Sequence, residues 1–347
     1  YVAVSRFFRR FNMDNNYIIK LKHGLYEKEY DDKFINRCCK YAEKLINKNL
    51  PVFFDEEHIH RVLRTQGISL ENNYHAFDLI SDNKIRTILA PSKRLKARQR
   101  WILDNILNKI KVSKYAHGFE LNRSIKTHAE LHANHDFVVC MDIKDFFPSI
   151  TEEKVYTIFK NIGYTSRASQ ELAKLCCFKG VLPQGAPTSP KLANIICKKM
   201  DWEIQRYSKA NNITYSRYAD DLTFSSNSEM CELITEITAI VKKYDFSINS
   251  EKTQTFAYGE PKFITGLVVQ NGNVRIPKRY KRELRKEIHF CQKFGVLIHL
   301  QNSNATHFVN YREHLYGKAY YVHMIEPDIG EKFLDELDKI SWPEYML

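Results

Sequence analysis

The chain has 347 residues, with 53 Lys and Arg against 41 Asp and Glu, a formal net charge of +12 and 44% hydrophobic residues. That length supports one hand-sized core with subdomains better than three independent domains, and the positive balance suits a polyanionic partner such as nucleic acid. No apolar run approaches the roughly 18 residues of a membrane span, no signal-peptide pattern is present and the eight cysteines include no C-x-x-C, which argues against membrane, secreted and disulfide-framework proteins and for a cytoplasmic one.

In chain order, Val2, Val4, Phe7, Phe8 and Phe11 with Arg6, Arg9 and Arg10 form an aromatic-basic segment that reads first as core packing and otherwise as a contact with RNA or a partner protein. Asp31 and Asp32 then open a predicted helix over Lys33 to Ile46, with Phe34, Cys38, Tyr41, Ala42 and Leu45 on its apolar face. The basic run Lys93 to Arg100 leads into Trp101 and a periodic helix, which fits a phosphate-facing stripe or a solvated surface. His128 and His132 share a helical face, yet the glutamate that a zinc peptidase carries after its first histidine is missing, so zinc is not expected there. Phe137 to Ile143 reads as a buried strand ending in Asp142, and Thr151 with Glu152, Glu153 and Lys154 opens a helix.

Leu182 to Pro190 is a stiff, proline-punctuated loop, either a preorganised binding surface or a connector. It feeds a predicted helix over Lys191 to Tyr207, with Leu192, Ile195, Ile196, Met200, Trp202 and Ile204 as its apolar positions, Ser189 as its cap and Pro190 in its first turn. Two strands follow, Ile213 to Tyr218 and Leu222 to Ser226, joined by a turn holding Asp220 and Asp221. Asn271, Gly272 and Pro277 mark a turn before the basic stretch Lys278 to Lys286, and two further helices are expected around Tyr311 to Val322 and Ile329 to Ile340. Cys38-Cys39, Cys176-Cys177 and cysteines 140, 197, 231 and 291 read as buried thiols.

The carboxylates carry the chemistry. Adjacent like charges raise each other's pKa unless a cation neutralises them, and hard dications take oxygen ligands. Asp142, Asp220 and Asp221 could therefore hold two ions about 3.5–4 Å apart, the arrangement of two-metal phosphoryl transfer. Asp-Asp in a hairpin turn is also an ordinary turn sequence.

Together these segments resemble a reverse transcriptase: Asp142 with Phe146 and Phe147, the loop Leu182-Pro183-Gln184-Gly185, Tyr218-Ala219-Asp220-Asp221, Ser250-Glu251-Lys252-Thr253 and Phe263-Ile264-Thr265-Gly266-Leu267, in that order. Ile85-Arg86-Thr87-Ile88, Ala90-Pro91, Gly118-Phe119-Glu120 and Ser124-Ile125 make the chain similar to the bacterial retron enzymes in particular. Those enzymes typically carry Asn-Ala-x-x-His and Val-Thr-Gly elements. Here the first becomes His128-Ala129-Glu130-Leu131-His132 and the second Ile264-Thr265-Gly266. The resemblance covers about residues 80 to 270 strongly and the ends weakly.

The resemblance implies an α+β right-hand polymerase fold with fingers, an antiparallel-sheet palm and a helical thumb. The implied divisions are an N-terminal helical region over 1–80, fingers over 81–135, a palm with interleaved fingers elements over 136–270 and a thumb over 271–347. Asp142, Asp220 and Asp221 would be catalytic and bind two Mg²⁺ ions, replaceable by Mn²⁺, with the Ile143 carbonyl as an additional ligand. Phe147 would lie beneath the sugar of the incoming nucleotide and exclude a 2′-hydroxyl, unless it is a core phenylalanine. Arg86 and Gln184 would contact the nucleotide or its phosphates, and Lys252 would protonate pyrophosphate or simply be solvated.

Lys278, Arg279, Lys281, Arg282 and Arg285 would meet RNA. His132 would contact RNA as well or order the loop before the palm. The implied partners are a structured non-coding RNA template-primer with its RNA-DNA product, deoxynucleoside triphosphates and an effector protein. Three functions fit: a retron enzyme priming from a 2′-hydroxyl in antiphage defence, another defence- or intron-related reverse transcriptase with different priming, and a non-catalytic RNA-binding scaffold.

Overall fold

The computed structural model describes residues 15–65, 71–81, 84–302 and 310–346, so the aromatic-basic segment over 2–11 lies outside the described residues. The chain forms a mixed α+β structure that divides into two compact, interleaved units. Of the described residues, the first takes those up to Lys114 together with Lys144–Trp202 and Lys242–Phe246; the second takes Tyr115–Ile143, Glu203–Val241 and those from Ser247 onward.

In the first unit, Asp31 caps the helix Asp32–Ile46 by accepting from the Phe34 amide at 2.8 Å. Its fully buried positions are Ile35, Cys39, Ala42 and Leu45. The stripe is thus centred one residue later than the Phe34-Cys38 reading, with those two half-buried at its edge. The helix Lys93–Asn105 buries Leu95, Gln99, Trp101 and Ile102 and leaves much of its basic run outward. Strands β1 (Tyr74–Ser81) and β2 (Lys84–Pro91) form an antiparallel pair.

The loop after Leu182 lies against β2, where the Leu89 amide donates to the Gln184 carbonyl at 2.8 Å. Gly185 follows with φ +135°, and a Cβ there would stand 2.6 Å from the Leu89 carbonyl oxygen, so only glycine lets the two backbones meet. The predicted helix over 191–207 is two helices, Ser189–Ile196 and Lys198–Ala210, broken at Cys197. Ser189 is inside the first turn rather than at the cap, its hydroxyl donating to the Pro183 carbonyl at 2.8 Å, which closes the proline loop onto the helix start. Trp202, expected on the apolar face, is 63% exposed.

The second unit contains a four-stranded antiparallel sheet in the order β4-β5-β3-β6, from β3 (Phe137–Ile143), β4 (Thr214–Tyr218), β5 (Asp221–Ser226) and β6 (Ile248–Phe256). A three-stranded sheet follows, from β7 (Lys262–Ile264), β8 (Leu267–Gln270) and β9 (Asn273–Arg275). Its second turn is Asn271-Gly272 with φ of +50° and +75°, the pair of left-handed residues that a type I′ hairpin demands.

The helices Lys278–Phe294, Val296–Asn302, Tyr311–Ile325 and Pro327–Asp338 complete this unit around a core that includes Leu284, Ile288, Leu315, Val322 and Leu337. Glu326, the single residue between the last two helices, accepts from the Ile276 amide at 2.7 Å and from Lys281 Nζ at 2.8 Å. Among the described residues the cysteines are free thiols; Cys231 is exposed, contrary to its reading as a buried one.

Candidate active site

Alternation along a strand sets which side chains share a face, and register sets which strands bring theirs together. Asp142, the penultimate residue of β3, pairs directly with Asp221, the first residue of β5. Directly opposed residues on one face hold their Cβ atoms roughly 4.5–5.5 Å apart. Asp221 in turn pairs with Tyr218 of β4, so Ala219 and Asp220 alone make the turn between those strands. The Ile143 amide donates to the Asp220 carbonyl at 3.0 Å, tying the turn to the end of β3. Asp142 is 8% exposed, and Asp220 and Asp221 are half-buried.

The turn depends on neighbours that carry no obvious sequence signal. Ala219 takes φ +57°, a left-handed conformation that a side chain disfavours. Arg217, fully buried, donates from Nη1 to the Ala219 carbonyl at 2.9 Å, while its amide donates to the Tyr115 carbonyl and its own carbonyl accepts from the His117 amide. A Cβ on Gly118 would lie 2.6 Å from the Ala219 nitrogen, so the residue after His117 must be glycine for this segment to lie against the turn. Arg217 was missed in the sequence because an arginine in a strand reads as outward-facing; only its place one residue before Tyr218 could have hinted otherwise.

Behind the turn stands a group of histidines. The His128 ring lies 5.7 Å from the Tyr218 ring and 5.5 Å from that of His117, and His128 Nδ1 is 3.4 Å from the Thr265 hydroxyl. The His128 position of the first retron-like element thus meets the threonine of the second. Burial pushes the His128 imidazole down to about 3 and that of His117 down to about 4, so both are neutral at pH 7.

His132 corrects its RNA-contact reading: it is fully buried, beyond the end of the short helix Ile125–Glu130, with Nδ1 and Nε2 each 2.7 Å from the hydroxyls of Ser225 and Ser216. It cross-links β4 and β5 from beneath. Its ring has no open face for a ligand.

Lys252 extends from β6 to Asp142, with Nζ 2.9 Å from each carboxylate oxygen. Chemically the set suits a hard dication: it consists of carboxylates, and one already holds a cationic group on both oxygens. As the side chains stand, no three Asp, Glu, His or Cys among the described residues are arranged around one metal position.

The other expected contacts fall elsewhere. Phe147 and Gln184 belong to the first unit, both half-buried, with the Phe147 ring 5.4 Å from that of Phe146. Arg86 lies on β2 opposite Leu79, and its side chain is outside the described residues. In the helix Lys278–Phe294, Lys278, Arg282 and Arg285 are exposed, Arg285 over the Phe333 ring, and Arg279 pairs with Glu283 at 2.8 Å. Lys281 corrects its RNA-facing reading: it is on the packed side, held by Glu326. No helix among the described residues is long and apolar enough to cross a membrane.

Comparison with known proteins places the chain among its relatives. Residues 79–290 match the family described as "Reverse transcriptase (RNA-dependent DNA polymerase)". The chain is 41% identical to the retron Ec86 reverse transcriptase of Escherichia coli over 224 residues, covering 63% of this chain and 70% of that protein. It is 33% identical to the retron Mx162 reverse transcriptase of Myxococcus xanthus over 295 residues, 75% of this chain and 59% of the relative. The retron Mx65 reverse transcriptase of the same organism is 32% identical over 270 residues, 72% of this chain and 60% of the relative. The chain thus spans about three fifths of the length of the two Myxococcus relatives. By the family match and these identities, the chain belongs to the reverse transcriptases, RNA-dependent DNA polymerases, and within them to the retron enzymes.

Proposed function

We propose that this chain copies part of a structured non-coding RNA into a short single-stranded DNA that stays covalently joined to RNA, priming from a 2′-hydroxyl, in a retron defence system with an effector protein. The observation that carries the reading is the direct pairing of Asp142 with Asp221, with Asp220 in the adjoining turn. On this reading the four-stranded sheet is the palm, β1 and β2 belong to the fingers, and the helices from Lys278 onward form the thumb.

Asp142, Asp220 and Asp221 would hold two Mg²⁺ ions, with the Ile143 carbonyl as a further ligand. When bound, such ions lower the pKa of the primer hydroxyl and neutralise charge on the departing pyrophosphate. The protein's own share is positioning. The turn held by Arg217 and Gly118 presents Asp220 and Asp221 in one orientation, so little reorganisation is needed as charge develops. Lys252, with Nζ 2.9 Å from each Asp142 oxygen, is the candidate donor to the leaving group. Phe147 would block a ribose 2′-hydroxyl, Arg86 and Gln184 would grip the incoming deoxynucleoside triphosphate, and Lys278, Arg282 and Arg285 would meet RNA phosphates.

The test is to express the chain with its flanking genomic DNA and run extracted nucleic acid on a denaturing gel before and after ribonuclease, beside Asp220→Ala/Asp221→Ala. A discrete DNA shortened by ribonuclease and absent from the control is expected. Extension of a supplied primer without that product would keep the polymerase and remove the 2′-priming. Failure of both in folded protein would favour the scaffold.

A further inference from the structure

Five lysines from well-separated stretches of sequence, Lys48, Lys109, Lys154, Lys199 and Lys243, line a cavity of about 1310 Å³ whose lining lies wholly within the first unit. The acids on its wall are Glu153 and Asp245, and Asp245 pairs with Lys154 at 3.2 Å. Carbonyl oxygens hold several of the amino groups: Lys48 donates to Ile162 at 2.7 Å, Lys154 to Tyr244 at 3.1 Å, and Lys109 to Asn49. A carbonyl fixes an ammonium in place without cancelling its charge, and an ammonium has three donors. Lys48 and Lys109 are therefore oriented cations with hydrogens left for an incoming oxyanion.

Between the lysines the surface is apolar. Leu50 and Ile158 are buried, and Ile110, Ile162, Ile195 and Ile196 are half-buried along the same wall. The volume exceeds the roughly 300–1,000 Å³ of a small-ligand pocket. A duplex turns its phosphates outward and hides its base faces, so it would use the cationic rim and leave the isoleucines idle. A strand with unpaired bases uses both, phosphates on cations and base faces on a non-polar platform.

We propose that this cavity binds an unpaired nucleic-acid strand, at a site separate from the three aspartates, none of which lines it. The inference rests on the family's use of nucleic acid and not on the catalytic assignment of the aspartates. RNA template and DNA product share the required chemistry, and the test separates them.

Fluorescence anisotropy of the full chain would be followed with labelled oligouridylate, oligothymidylate and a DNA duplex across a range of salt. The proteins are wild type, Lys48→Ala/Lys199→Ala and the charge-preserving Lys48→Arg/Lys199→Arg. Each lost phosphate contact lowers the salt slope for a single strand by about 0.7, so the alanine pair is expected to lower it by about 1.4. The arginine pair keeps the wild-type slope, and duplex binding stays unchanged. Loss on oligouridylate alone assigns the site to RNA, loss on oligothymidylate alone to the DNA product, and loss on both to either strand.

A wild-type slope in the alanine pair on both single strands overturns the proposal, as does an equal loss on duplex. An acidic protein that binds wild type but not the alanine pair, with the strand slopes unmoved, assigns the cavity to a protein partner instead. Extension of a saturating primer-template is measured alongside, so that a fault in the aspartate site is read separately.

Discussion

Asp142 and Asp221 stand directly opposite each other across β3 and β5, two carboxylates at one cross-strand position. Like charges so placed destabilise a sheet; Lys252 offsets part of that repulsion at Asp142, and a bound dication would remove the rest. Wild-type protein is therefore expected to melt at higher temperature as Mg²⁺ is added, since a ligand of the folded state stabilises it by mass action. Asp221→Asn is expected to melt slightly higher without metal, to lose the Mg²⁺ response and to make no DNA. A full Mg²⁺ response in that variant, followed by calorimetry, would speak against the shared site.

Lys252 covers both oxygens of Asp142, so it competes with a cation for that carboxylate. Lys252→Met is expected to lower the Mg²⁺ concentration for half-maximal thermal stabilisation while reducing kcat by about a hundredfold, the scale of a lost general acid. Single-turnover extension across a Mg²⁺ series separates the two effects, and an unchanged kcat would leave Lys252 as a counter-ion only.

Arg217 donates from its buried guanidinium to the Ala219 carbonyl. Arg217→Met keeps much of the volume but removes that charged hydrogen bond, at an expected cost of about 2–3 kcal/mol in urea unfolding. A destabilisation under about 0.5 kcal/mol, the range of ordinary surface substitutions, would show that the turn holds without it.

Gly118→Ala tests the close approach from the other side. The added methyl meets backbone rather than a flexible side-chain end, so the turn itself must shift. Misplacement by about 1 Å costs on the order of 10²-fold in rate. Extension is expected to fall by about that factor while most of the thermal stability remains.

The buried histidines give the stability a direction with pH. His128 is held down to about 3 and His117 to about 4, chiefly by burial, against an ordinary 6.5. A depressed folded-state pKa means that the unfolded chain binds the proton first, so this stability is complete above about 6.5 and is lost as pH falls toward 4 and 3. Urea midpoints should decline over that window. His128→Asn should make the decline shallower, and a slope equal to wild type would remove His128 as a contributor.

The strands were legible in the sequence, and with them the places of the three acids, because short continuous apolar runs bounded by turns leave a local signature: Phe137–Ile143 and the Asp220-Asp221 hairpin stand where they were expected. The start of β5 at Asp221 rather than Leu222 was not, since an acid at a strand end looks like turn. Properties set by distant partners were hidden as well. Arg217, His132 and Lys281 are polar residues whose placement involves Tyr115, Ser216 with Ser225, and Glu326. The break at Cys197 and the lysines of the first-unit cavity likewise arise from tertiary placement, which no window of sequence contains.

Glu326 joins places that the chain visits far apart: the backbone at Ile276, the first turns of the helix from Lys278, and the joint between the last two helices. A single carboxylate thereby acts as a rivet. The start of the basic helix and the last interhelical joint are pinned to one point, so that loss of this one carboxylate would loosen both together.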